Sequence, residues 1–456
     1  MGEPAPAEVQ VARCVPVSYE DEHVGADEAG LRTHGHRRPK WDANTSGRVT
    51  VPLTILSILT PAGRSSPLCP HGHRSAVCLP CESDLSPYRD VPPRPYAEHP
   101  FLKAFREVEA GIGGIPVDMK PIPDDDRKCV LDSRVKATME RKRALFAERA
   151  SERSGYSLGN ERWRPDKVTY DLCEGEVTED ERLIDVDGTH QMDVFSYRGA
   201  SAAKEGAPAY VFLHGGGFTS GTERIYHNQM RFLAEVSGAV VIFPDYRLAP
   251  EAPFPAAIED CMACVRWVHD NADLLGIDMG RIMLGGDSAG GSLTCACILK
   301  DSARFIARVY LLFPGCDSSD YHKQDIYDWS WDLYPVIERE RDLVRNRIDR
   351  IRKSVGIPAE KSVYIQGKTT YEDPLVSIVY ASDRQLEGFP PVTVAVSEYD
   401  YLRMGAEYFS RRLHGLGRGI RLVRYRGCDH GFLDLFGTEP QAEEVLLDMA
   451  DEIHRM

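Results

Sequence analysis

Three polar residues far apart in the chain stand in contexts that suit nucleophilic catalysis. Ser288 lies in Gly286-Asp287-Ser288-Ala289-Gly290, directly after the β-rich run Arg281–Leu284 and before a helical stretch. A serine exposed on a sharp strand-to-helix turn needs glycine two positions to either side, because side chains there would collide with backbone. His214-Gly215-Gly216-Gly217-Phe218 follows a second such run, Tyr210–Leu213. Its bare backbone N–H groups suit an oxyanion, and it has no Lys-Ser/Thr that would make it a phosphate loop. Asp400 follows Val392–Val396, and His430 follows Ile420–Tyr425. Glu398 and Asp373 are rival acids. Glu398 sits too close to its strand's end and Asp373 precedes that strand, so Asp400 is preferred.

These residues need a frame that brings them together. The runs Tyr210–Leu213, Ala239–Phe243, Arg281–Leu284, Val309–Phe313, Val392–Val396 and Ile420–Tyr425 alternate with helical stretches such as Ala256–Leu275, Ser292–Asp301 and Met404–Leu416. That alternation predicts an α/β fold with a mostly parallel central sheet and helices on both faces. Loops at the C-terminal ends of parallel strands share one edge, where Ser288, Asp400 and His430 can converge. Leu183–Val186 and Met192–Tyr197 predict an opening hairpin turned at Asp187-Gly188. The order serine, acid, histidine is that of α/β-hydrolases.

The chain resembles the hormone-sensitive-lipase-like branch of the α/β-hydrolase superfamily, with its bacterial carboxylesterases and arylacetamide-deacetylase-like enzymes. The resemblance rests on His214–Gly217, on Asp245-Tyr246-Arg247-Leu248-Ala249-Pro250-Glu251 with Pro255-Ala256-Ala257, on Gly286–Gly291, and on the Asp400 and His430 segments. It covers about residues 160–456 well and 100–160 loosely. It implies Ser288 as nucleophile, His430 as general base and acid, Asp400 as its orienting carboxylate, and an oxyanion hole of Gly215, Gly216 and Ala289. Tyr401 stands where the family usually has proline, and Met404-Gly405 replaces the usual acidic pair and glycine. The implied reaction is hydrolysis of small or medium acyl esters without a cofactor. Same-fold amidases, deacetylases and dehydratases, and non-catalytic receptors, are the alternatives. The receptors typically lack the histidine that is present here.

The remaining length needs explaining. The 456 residues would allow three domains of about 150 residues each. Residues 1–95 hold 13 of the 30 prolines and show no sustained helical or strand period, which predicts an irregular or disordered arm. Cys69, Cys78 and Cys81, with His71 and His73 between them, have partly zinc-like spacing. No second Cys-x-x-Cys completes it, so no metal site is read there.

Residues 96–456 then form one catalytic domain, with cap elements near 100–165 and 318–382. Asp124-Asp125-Asp126 offers an acidic start for a cap helix running to Arg153, and Glu338–Arg352 reads as a solvated cap helix with internal ion pairs. Phe218, Trp329 and Trp331 are substrate-pocket candidates by position. Cys261 and Cys264, one helical turn apart, read as core thiols.

A net charge of −15 argues against nucleic acid as a partner. No apolar run approaches the ~18–20 residues of a membrane span. The start Met1-Gly2-Glu3-Pro4 lacks a basic and apolar leader, so a cytoplasmic protein acting on a small-molecule ester is expected, with homo-oligomerisation left open.

Overall fold

A computed structural model of the chain describes residues 107–112, 114–152, 158, 162, 167 and 169–456. The proline-rich arm and its cysteine–histidine cluster lie outside the described residues. Ten strands among the described residues form one sheet, in the order β1-β2-β10-β9-β8-β7-β5-β6-β4-β3. They are β1 Glu107–Ile112, β2 Ile115–Lys120, β3 Val177–Asp185, β4 Gln191–Gly199, β5 Ala207–Leu213, β6 Val240–Pro244, β7 Ile277–Asp287, β8 Arg308–Leu312, β9 Val392–Tyr399 and β10 Ile420–Asp429. The block β6-β5-β7-β8-β9-β10-β2 is parallel throughout, while β1, β3 and β4 pair antiparallel.

The inner strands are near-continuous apolar runs because helices cover both faces. Val240–Pro244 is buried at every position, whereas edge strand β3 exposes Thr178 to Leu183. Charged residues on an edge discourage pairing with another chain. The helices that matter for the site are α1 Ser133–Glu152, α2 Glu223–Ser237, α3 Ala256–Asp270, α4 Ala289–Lys300, α5 Glu338–Arg352, α6 Arg403–Gly415 and α7 Pro440–His454. One apolar cluster, including Ile258, Leu284, Leu293 and Val394, packs one face of the sheet. A second, including Phe212, Phe243, Tyr425 and Leu446, packs the other. Cys261 and Cys264 lie fully buried in the first cluster, as core thiols.

Three features differ from the sequence reading. Residues 107–120 are two strands of the main sheet rather than cap, with β2 pairing parallel to β10 through Leu422–Tyr425. The helix expected from Asp124 begins at Ser133 instead. Asp125 spends its carboxylate on Arg127, and Asp132 accepts the Arg134 N–H at 2.8 Å in the manner of an N-cap. Helix α5 is also more than a solvated face. Glu340, Leu343, Val344 and Ile348 are buried at helical spacing, and Glu340 accepts the Leu131 N–H at 2.8 Å. The expected pairs Arg341–Glu338 and Arg352–Asp349 lie on its outer side.

Candidate active site

The serine sits where β7 turns into α4. Ser288 has φ 52° and ψ −115°, a strained backbone for a non-glycine residue. The turn is tolerated because the residues two positions to either side carry no side chains. A Cβ on Gly286 would lie 2.3 Å from the Leu213 carbonyl oxygen, and one on Gly290 would lie 1.9 Å from it. The β5 chain end therefore presses directly on the elbow and fixes the serine's direction.

Ser288 Oγ stands 2.9 Å from His430 Nε2, and His430 Nδ1 stands 2.7 Å from Asp400 Oδ2. With its Nδ1–H donated to Asp400, the imidazole leaves Nε2 free to accept from the serine hydroxyl. Asp400 is buried, its Oδ1 accepts the Leu402 N–H at 2.9 Å, and its carbonyl accepts the Tyr334 hydroxyl at 3.2 Å. Phe313 sets its ring edge-on to the His430 imidazole with centroids 5.0 Å apart. The rival acids are engaged elsewhere. Glu398 accepts the Gly427 N–H at 2.8 Å, and Asp373 accepts the Thr369 hydroxyl at 2.8 Å.

The glycine loop departs from the expected donor set at Gly215. Its N–H donates to Asp287 Oδ1 at 2.6 Å, so it is turned into the protein and is not offered to a substrate. The Tyr226 hydroxyl donates to Asp287 Oδ2 at 3.1 Å from α2. Burial, with Asp434 nearby, pushes the Asp287 carboxyl up to about 7, against the pull of Lys167 and these two donors. Gly216, at φ 124°, could carry no side chain, since a Cβ would fall 2.0 Å from the Ser220 carbonyl oxygen. Among the described residues, no acceptor takes the N–H of Gly216, Gly217 or Ala289. His214 stays neutral beneath the loop, because burial lowers it to about 4. Its Nδ1–H points at the Gly215 carbonyl 2.7 Å away, and its ring stacks on Tyr246 at 4.1 Å.

The aromatic candidates divide. Phe218 directly follows the glycine loop and stacks face to face on Tyr364 at 3.8 Å. Trp329 packs on His322 and lies 6.1 Å from Tyr401, while Trp331 sits under the Arg345 guanidinium. Both tryptophans thus belong to an aromatic group behind Asp400 rather than to the glycine loop. Tyr401 organises that group. It stacks on Tyr321 at 4.5 Å, its hydroxyl accepts the Tyr321 N–H and donates to Asp320, and so it fastens the long insertion to the acid's loop. Gly405 leaves room there, since a Cβ would come 2.8 Å from the Tyr321 hydroxyl.

Two polar residues were not singled out from sequence alone. Asp287 lies inside the serine pentapeptide, but only the fold shows that it holds Gly215. Arg347 of α5 donates from Nε to Asp429 Oδ2 at 2.7 Å and from Nη2 to the His430 carbonyl at 2.6 Å.

Comparison with known proteins places this geometry in a family. Residues 210–434 match the α/β-hydrolase-fold family. Esterase LipI of Mycobacterium tuberculosis is 30% identical over 239 residues, 52% of this chain and 70% of that protein. An arylesterase of Saccharolobus solfataricus is 31% identical over 254 residues, 54% and 74% of the two chains. Human hormone-sensitive lipase is 37% identical over 137 residues, 30% of this chain and 12% of that protein. Among solved structures, a thermostable esterase from Pseudomonas putida superposes with TM-score 0.55 at 25% identity, covering 72% of this chain and 96% of that one. The carboxylesterase EstE1, cloned from a metagenomic library, superposes with TM-score 0.51 at 27% identity over 65% and 93%. The chain belongs to the α/β-hydrolase family, in the branch related to hormone-sensitive lipase.

Proposed function

We propose that the chain is a serine carboxylesterase that hydrolyses small or medium acyl esters through an acyl-enzyme on Ser288. The observation that carries this reading is the continuous contact Ser288 Oγ–His430 Nε2–Asp400 at 2.9 and 2.7 Å. His430 takes the serine proton as Oγ attacks the ester carbonyl. The oxyanion is received by the N–H groups of Gly216, Gly217 and Ala289, with Gly215 serving as the loop's anchor on Asp287. Collapse expels the alcohol, which takes its proton from His430. A water activated by the same imidazole then hydrolyses the acyl-serine.

The relatives, an esterase and an arylesterase, support an ester as substrate. Phe218 is proposed to flank the acyl group next to the loop. Trp329 and Trp331 would shape the pocket indirectly, through Tyr334 and Tyr401. The catalytic unit is proposed to span residues 96–456 and to work in the cytoplasm, in keeping with eight described cysteines that are all free thiols. Among the described residues, no helix is long and apolar enough to cross a membrane.

A series of p-nitrophenyl esters from acetate to laurate, assayed on wild type and Ser288→Ala, tests the reading. Turnover of the shorter esters that is lost in the variant supports it. Matching amide hydrolysis, or turnover that survives the substitution, contradicts it.

A further inference from the structure

The esterase relay uses one side of the His430 imidazole for Ser288 and the other for Asp400. It does not account for what holds the histidine's own backbone. His430 lies on the turn after β10, between Asp429 and Gly431, and Gly431 adopts φ 84°. The side chain that grips this turn comes from the insertion. On α5, residues 340, 343, 344, 347 and 348 fall on one helical face. Four of them are buried, and Arg347 reaches past them with its side chain only 16% exposed. Its guanidinium bonds in two directions, from Nε to the Asp429 carboxylate and from Nη2 to the His430 carbonyl. A planar fork makes both bonds in one fixed geometry, whereas an ammonium on a flexible stem holds neither direction so firmly.

We propose that Arg347 is a positioning residue for His430, holding the histidine's turn by its carbonyl while balancing the charge of Asp429 beside it. The proposal rests on the esterase reading for its consequence in turnover, but not for the contact itself. Arg347 would fix the imidazole's distance to Ser288 and keep an unpaired anion away from the ring. It would also tie the insertion to catalysis, since a displaced α5 would release both bonds.

The charge environment of His430 is assembled from several elements. Asp400 faces it from the loop after β9, Asp429 and Asp434 flank it on its own segment, and Glu439, before α7, faces Asp429. Lys142 of α1 and Arg347 of α5 bring positive charge to Asp429, while Lys167 pairs with Asp434 at 2.7 Å. Burial lowers Lys142, which weakens it as a counter-charge, and raises Glu439, which makes it less of an anion. Among the described residues, Arg347 is then the permanent cation in ion-pair contact with Asp429.

The test titrates the imidazole directly. The full-length chain with 15N-labelled histidine is followed by NMR, and the His430 signal is assigned by its loss in His430→Gln. Wild type is compared with Arg347→Met, Arg347→Lys, Asp429→Asn and the double variant Arg347→Met/Asp429→Asn. Removing the cation should raise the His430 midpoint by about half a unit or more, and removing the anion should lower it. The double variant should return towards wild type. In parallel, kcat for p-nitrophenyl acetate should fall about tenfold or more in Arg347→Met with KM held within about twofold, and Arg347→Lys should restore the midpoint more fully than kcat.

Midpoints that fail to move in opposite directions, or a kcat for Arg347→Met within about twofold of wild type, would overturn the proposal. If Arg347→Met does not fold, the Lys and Asn variants still decide it. Their midpoints must separate, with Asp429→Asn below wild type and Arg347→Lys close to it. An inert wild type that shows the expected midpoints would sink the esterase reading and leave this one standing.

Discussion

The Gly215 N–H donates to Asp287 Oδ1 across 2.6 Å, and this bond joins the glycine loop to the serine's own pentapeptide. The two motifs are therefore one mechanical unit. The residue before the nucleophile sets where the neighbouring N–H groups point.

Asp287→Asn tests that unit and its charge. The buried carboxyl is raised to about 7, while an unfolded chain leaves it near ~3.9. The folded state therefore holds the proton more tightly between these values. Its contribution to stability is complete below the lower value and is lost as pH rises towards 7. Asn lacks that loss, so the variant should gain stability relative to wild type between pH 5 and pH 8, as read by urea melts. A constant difference across that range would contradict the assigned environment.

Gly216→Ala and Gly217→Ala should separate. A Cβ at Gly216 meets the Ser220 carbonyl at 2.0 Å, whereas at Gly217 nothing lies within 4 Å. The first should displace the donors and cost about a hundredfold in kcat or more. The second should fold with a left-handed strain of about 1 kcal/mol and lose less activity. Steady-state kinetics beside thermal melts would distinguish them.

Asp400→Asn should keep the fold and lower kcat by about ten-thousandfold, because an amide can hold the imidazole in the wrong tautomer. If Glu398 or Asp373 were the working acid, their amides would show this loss and Asp400→Asn would not. The pH–rate profiles of all three amides make the comparison.

Truncation tests the domain boundary. Removing residues 1–95 should leave ester hydrolysis intact. Removing residues 1–121 deletes β1 and β2 and strips the partner from β10 along Leu422–Tyr425. An exposed edge next to the His430 turn should promote association and loss of activity. Size-exclusion chromatography with activity assays reads both outcomes.

The parallel core was legible because doubly covered strands are apolar runs, as at Val240–Pro244 and Val392–Val396. Ser288, Asp400 and His430 were legible because each follows such a run. The β1–β2 hairpin was not, although Ile115, Val117 and Met119 alternate as a half-buried strand does. Its partner lies some three hundred residues away, so no local pattern showed where it pairs. Shorter but still non-local separations hid the roles of Asp287, 72 residues from Gly215, and Arg347, 82 residues from Asp429. Gly215 was assigned as an oxyanion donor from its motif position, and only the fold shows its N–H taken by a carboxylate. Helix α5 looked solvated because its charge dominates its composition, while its buried face carries only a few apolar residues.

The most direct test of the central claim is covalent. Wild-type protein quenched with acid during turnover of p-nitrophenyl acetate should carry one acetyl group on the peptide containing Ser288, and Ser288→Ala should carry none and release no nitrophenol above background. Acetate found on another residue, or undiminished turnover by Ser288→Ala, would contradict the account.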